Sequence, residues 1–100
     1  MYGTIFRLKV KPGQEAKVIE LFDTWEKTRK PMVKGAVGGL LLKPDEGSGE
    51  LVAAAIFSDK DSYSANAADP GQHEWFLKLR ALLDADPEWE DGEFVRFGMD

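Results

Sequence analysis

His73 is the only histidine of the chain, and imidazole is the side chain whose ordinary pKa lies nearest neutrality. It is the natural candidate for a general base or a ligand donor. On a helical wheel it shares a side with Arg80 and sits beside Phe76. Tyr63 and Asn66 are three residues apart, so both point to one side of a short helix. A phenol and an amide so placed can hold a phenol or quinone oxygen in an apolar pocket. Trp25, Trp75 and Phe76 supply flat apolar walls of the kind planar ligands occupy. Each residue also has a plainer role: a half-exposed histidine in a first turn, a tyrosine packed with its hydroxyl at the core's edge, an asparagine near a helix end, and tryptophans as ordinary core.

Other chemistries are ranked down by composition. The absence of cysteine removes disulfides, thiolate nucleophiles and thiolate metal sites, and one histidine cannot build the three-ligand site typical of catalytic zinc. No metal and no cofactor is expected. Gly35-Ala-Val-Gly-Gly39 lacks phosphate-loop spacing and leads into a strand. A net charge of -5 repels phosphate backbones and anionic lipid, so neither nucleic acid nor a membrane is an expected partner. The longest apolar run, Leu51 to Phe57, falls far short of the roughly 20 residues needed to cross a bilayer, and the alternating N-terminus is not built like a signal peptide. The expected location is the cytoplasm.

The elements that must position these residues can be read from periodicity. At 43% hydrophobic and 31% charged over 100 residues, the chain has material for one core, and residues 1–100 are expected to form a single domain. Tyr2 to Val10 alternates as a strand, with Tyr2, Thr4, Phe6, Leu8 and Val10 on one side. From Gln14 the period changes, and Val18, Leu21, Phe22, Trp25 and Arg29 mark an amphipathic helix stopped by Pro31. Val37–Leu42 and Leu51–Phe57 flank the turn-rich segment Pro44–Gly49 and predict a hairpin. Ser58-Asp-Lys-Asp61 matches a capping box before a short helix. Asp69-Pro70-Gly71-Gln72 starts a longer one, with Trp75, Phe76, Leu79, Leu82 and Leu83 as its stripe and Asp86-Pro87 as its end. The acidic run Glu88–Glu93 is expected to be a solvated loop pinned by Trp89, and Phe94–Phe97 the last strand. The order is βαββαβ, an α+β fold with a four-stranded antiparallel sheet.

Two helices cover one face of such a sheet, and the other should alternate to polar residues. Here the third strand is apolar throughout, the second is apolar or glycine, and the last would place Val95, Phe97 and Met99 opposite Phe94. A second copy of the chain, sheet against sheet, is the economical cover for so large an apolar patch. A short strand buried between a helix and a loop would also read as a continuous apolar run; of the two, a homodimer through the open face is expected.

The order of elements, with Phe57-Ser-Asp-Lys-Asp-Ser-Tyr63, Asn66-x-x-x-Pro70, His73-Glu-Trp-Phe-x-x-Leu-Arg80 and the segment Ala85–Glu93, resembles the antibiotic biosynthesis monooxygenase-like group of the dimeric α/β-barrel superfamily. The likeness spans nearly the whole chain. It implies a ferredoxin-like fold paired into a dimeric α/β barrel. It also implies two activities to weigh: a cofactor-independent monooxygenase acting on a small planar aromatic substrate, or a non-catalytic dimer that binds an apolar metabolite. The haem-degrading branch is not matched. Its strand asparagine falls at Phe6, its tryptophan near Asn66, and its haem-ligating histidine near Phe76, one turn from His73. The polyketide oxygenases offer Asn, Trp, Tyr and Arg around a pocket, types that Asn66, Trp25 or Trp75, Tyr63 and Arg80 supply here.

Overall fold

The alternation of the first strand fixes the inside of the molecule. In a computed structural model that describes residues 1–46 and 49–98, β1 (Tyr2–Lys9) turns Thr4, Phe6 and Leu8 inward and leaves Ile5, Arg7 and Lys9 exposed. It is followed by α1 (Glu15–Thr24), β2 (Ala36–Leu42), β3 (Glu50–Phe57), α2 (Lys60–Ala67), α3 (Pro70–Arg80) and β4 (Glu88–Glu93). The sheet is antiparallel with order β2-β3-β1-β4, the expected ferredoxin-like α+β arrangement. Gly47 and Ser48 of the predicted turn, and Met99, lie outside the described residues. No described helix is long and apolar enough to cross a membrane.

The predicted helix periods hold, with local departures. Beyond α1 the chain widens into a π-helical turn over Trp25–Arg29 and tightens into a 3-10 turn over Lys30–Met32. Two causes act together. The hydroxyls of Thr24 and Thr28 donate to the carbonyls of Glu20 and Thr24, which loosens the main-chain ladder, and Pro31 has no N–H with which to continue it. The cap of α2 is Asp59, not Ser58: its carboxylate accepts from the Ser62 amide at 2.7 Å. That hydrogen bond holds the Asp59 carboxyl below its usual range. Asp69 caps α3 as predicted, accepting from the Gly71 amide. This helix stops at Arg80 instead of Asp86, yet Leu83 remains fully buried and bridges to Val10. The core is Phe6, Leu8, Val10, Val18, Leu51, Ala53, Leu79 and Leu83.

The last strand is the main correction. Phe94–Phe97 is not a strand; the acidic segment Glu88–Glu93 is, pairing from Tyr2↔Glu93 to Arg7↔Glu88. Edge strands need main-chain groups more than apolar side chains, and charges along an edge discourage further pairing. One apolar residue settles the register: Trp89 lies opposite Phe6, with ring centroids 4.5 Å apart. Trp89 is thus a sheet residue and not the pin of a loop.

The open face is correspondingly narrower than the sequence suggests. Cross-strand partners share a face, so the pairing gives rows Leu42–Val52–Arg7–Glu88, Leu40–Ala54–Ile5–Glu90 and Gly38–Ile56–Gly3–Gly92. Its apolar part lies on β2, β3 and the middle of β1, and β4 contributes carboxylates. Leu40 and Leu42 are 63% and 61% exposed there. Ile56 is buried, and a methyl added to its neighbour Gly3 would lie 3.0 Å from the Phe94 ring, which places Phe94 over this row. Val95 and Phe97 beyond it are exposed.

Candidate functional site

Between the helices and the sheet lies a cavity of about 660 Å³, a size suited to a small-molecule ligand. It exists because the sheet beneath it carries small residues. Gly39, Ala55 and Thr4 are successive cross-strand partners on the helix side, and all three line the cavity. Around them stand aromatic walls: Phe6 from β1, Phe22 from α1, Trp25 from the π turn, Trp75 and Phe76 from α3, and Trp89 from β4. The rings support one another. Phe22 meets Trp75 edge-on at 5.2 Å, and Trp89 lies 4.5 Å from Phe6 and 6.0 Å from Phe76.

Of the residues singled out in the sequence, Trp25, Tyr63, Asn66, His73, Trp75 and Phe76 border this one space. Arg80 does not. Its Nε donates to Asp86 at 2.6 Å and its Nη1 to the Leu83 carbonyl at 3.0 Å. Arg80 thereby fastens the turn after α3, using its cation at a helix C-terminus. His73 is exposed at the cavity's border, in the first turn of α3. The Trp75 indole N–H donates to the Leu21 carbonyl at 3.2 Å and ties α3 to α1.

Tyr63 is placed by aromatic packing and used by a carboxylate. Its ring lies 5.5 Å from Phe57 and 5.4 Å from Tyr2, and its hydroxyl donates to Asp91 Oδ1 at 2.9 Å. Burial, then the adjacent Asp91 carboxylate, pushes the phenol pKa up to about 12. The hydroxyl proton is thus spent within the fold, and what the tyrosine offers the cavity is its ring and an acceptor. Asn66 Oδ1 is buried and, among the described residues, has no hydrogen-bond partner.

Sequence reasoning missed Gln72, Asp91, Phe22 and the Gly39–Ala55 floor. Gln72 reads from sequence as a helix-start residue at the third position, and that signal hid its other role. Its side-chain oxygen accepts from the Trp25 indole N–H at 2.8 Å and from Arg29 Nε at 3.3 Å. Asp91 was hidden because the acidic run reads as loop; once β4 is placed, alternation turns Trp89, Asp91 and Glu93 toward the helices.

No protein-family model and no curated protein matches the sequence. Solved structures do match. SnoaB, a cofactor-independent oxygenase from Streptomyces nogalater, superposes with a TM-score of 0.73 at 23% identity, covering 98% of this chain and 94% of its own. A suggested antibiotic biosynthesis monooxygenase from Caulobacter crescentus gives a TM-score of 0.81 at 16% identity, covering 95% and 90%. A protein of unknown function from Nitrosomonas europaea gives 0.76 at 20% identity, covering 99% and 93%. The chain therefore has the fold of the antibiotic biosynthesis monooxygenase-like proteins. Identities this low establish the fold and leave the activity to be argued from the site.

Proposed function

We propose that this chain is a cofactor-independent monooxygenase that binds a small planar aromatic substrate between its helices and its sheet, and that it works as a homodimer. The observation carrying this reading is the aromatic-walled cavity over a floor of glycine and alanine, a shape that favours flat apolar molecules. The likeness to SnoaB in fold supports the reaction class. An electron-rich phenol supplies its own reducing equivalents: deprotonation gives an anion that can reduce dioxygen. In the keto tautomer of such a phenol, as in an anthrone, the ring CH2 then becomes C=O, one atom of dioxygen entering the product and the other leaving as water with the two hydrogens. The chain's part is to orient the ring, exclude water and take the proton, and His73 at the border is the candidate base.

The dimer reading rests on the exposed Leu40, Leu42 and Ile5 of the open face, a patch that a two-fold partner presenting the same residues would cover. A second reading, a non-catalytic carrier of an apolar metabolite, draws on two observations: His73 is exposed, and the Tyr63 proton is committed to Asp91. Oxygen uptake with a planar phenol such as an anthrone separates the two. The enzyme reading expects uptake above the uncatalysed rate and a loss of roughly a hundredfold or more in His73→Ala, the usual contribution of a positioned base. Binding without uptake would establish the carrier.

A further inference from the structure

One amide in the cavity has its orientation fixed by its neighbours. Indole and guanidinium groups are donors only, so the end of Gln72 that meets both Trp25 Nε1 and Arg29 Nε is its oxygen. The NH2 therefore occupies the other end, and among the described residues it makes no hydrogen bond. The lock is itself braced. Arg29 Nη2 pairs with Asp69 at 3.8 Å. The Nη1 of Arg29 lies 2.5 Å from where a side chain at residue 71 would begin, a position open because that residue is glycine. The π turn sets Trp25 and Arg29, four residues apart, where both reach one oxygen. Nearby in the same lining is Asn66, with its buried, unpartnered Oδ1. Gln72 thus carries amide donors with no partner among the described residues, and Asn66 a buried oxygen with none, in a cavity walled mainly by aromatic rings; for the buried Asn66 oxygen that is a standing cost unless a ligand satisfies it.

We propose that Gln72 is the specificity-determining residue of the cavity, donating from its NH2 to a carbonyl or phenolic oxygen of the ligand while Asn66 Oδ1 accepts from a ligand hydroxyl. The ligand class that satisfies both is a planar ring system bearing a carbonyl and, at a position too far from it for an internal hydrogen bond, a hydroxyl. This rests on the reading of the cavity as the site of a flat ligand. Trp25 and Arg29 act through Gln72 as positioning residues.

The test compares two probes of the same ring size, 2-hydroxyanthraquinone, whose hydroxyl is too far from either carbonyl to bond to it internally, and anthracene, by quenching of tryptophan fluorescence. The wild-type chain should bind the hydroxyquinone about tenfold or more tightly than the hydrocarbon, the scale of one or two ligand hydrogen bonds. Gln72→Glu keeps the acceptor for Trp25 and Arg29 but lacks the donor, and should lose about tenfold toward the quinone with anthracene affinity unchanged. Gln72→Met, uncharged and of similar shape, should behave the same way. Both variants retaining the wild-type preference would overturn the role of Gln72 and leave the cavity reading intact. Failure of both probes to bind the wild-type chain would overturn both.

Discussion

Replacing Leu42 by aspartate should abolish the proposed dimer while sparing the protomer. Leu42 sits on the edge strand β2 and is 61% exposed in the single chain, so its substitution removes little from the fold. Full burial of a leucine side chain is worth about 1.5–3 kcal/mol, so covering the exposed part yields about 1–2 kcal/mol per protomer. Two-fold symmetry counts the residue twice, giving about 2–4 kcal/mol per dimer, or roughly 30- to 1,000-fold in the dissociation constant. Leu42→Ala should lose about that much. Leu42→Asp should lose more, because it also strands a charge in an apolar interface. Sedimentation velocity over a series of protein concentrations measures the shift, with thermal unfolding as the control for folding. Wild-type protein that sediments as a monomer at micromolar concentration, or a Leu42→Asp variant that associates like the wild type, would refute the reasoning.

Further outcomes follow from the core and the site. Leu79→Ala, at a fully buried position, should cost about 2–5 kcal/mol in denaturant unfolding. Ala55→Leu should fill the cavity floor and abolish quenching by planar probes without changing the sedimentation of the protein, since Ala55 lies on the helix side of β3, paired with Thr4. One of the two tyrosines should titrate near pH 12 when absorbance is followed into the alkaline range, and Tyr63→Phe should remove that step. The folded-state pKa lies above the ordinary value of 10.0, so the native chain keeps a proton that the unfolded chain loses. The Tyr63 contribution to stability is complete below pH 10 and should fall away between pH 10 and about 12.

Most of the scaffold is legible in the sequence because its signals are local. Alternation in Tyr2–Lys9, the helical stripe from Val18 to Trp25 and the Asp69-Pro70 start all act through nearest neighbours and faces, and the structure places them accordingly. The last strand fails for a physical reason. Phe94–Phe97 has the composition of a strand, but β1 pairs with Glu88–Glu93, because a single Trp89 against Phe6 outweighs the local preference of a phenylalanine-rich segment. Ala53 and Ala54 show the same limit: sequence cannot say which faces inward, and the register decides that Ala53 lies under the helices beside Phe6. At the site, residue types were readable and partners were not. Nothing local to Tyr63 reveals Asp91, 28 residues away, and nothing near Gln72 reveals Trp25 and Arg29, 47 and 43 residues earlier.

The three tryptophans all border the cavity, so their indole N–H resonances report on it directly. Titration of isotopically labelled protein with 2-hydroxyanthraquinone should shift the Trp25, Trp75 and Trp89 indole signals together, saturably and with one dissociation constant, while the amides of Leu42 and Val52 on the open face stay in place. Shifts confined to the open face or to Val95–Phe97, with the three indoles unmoved, would contradict a planar-ligand site between the helices and the sheet.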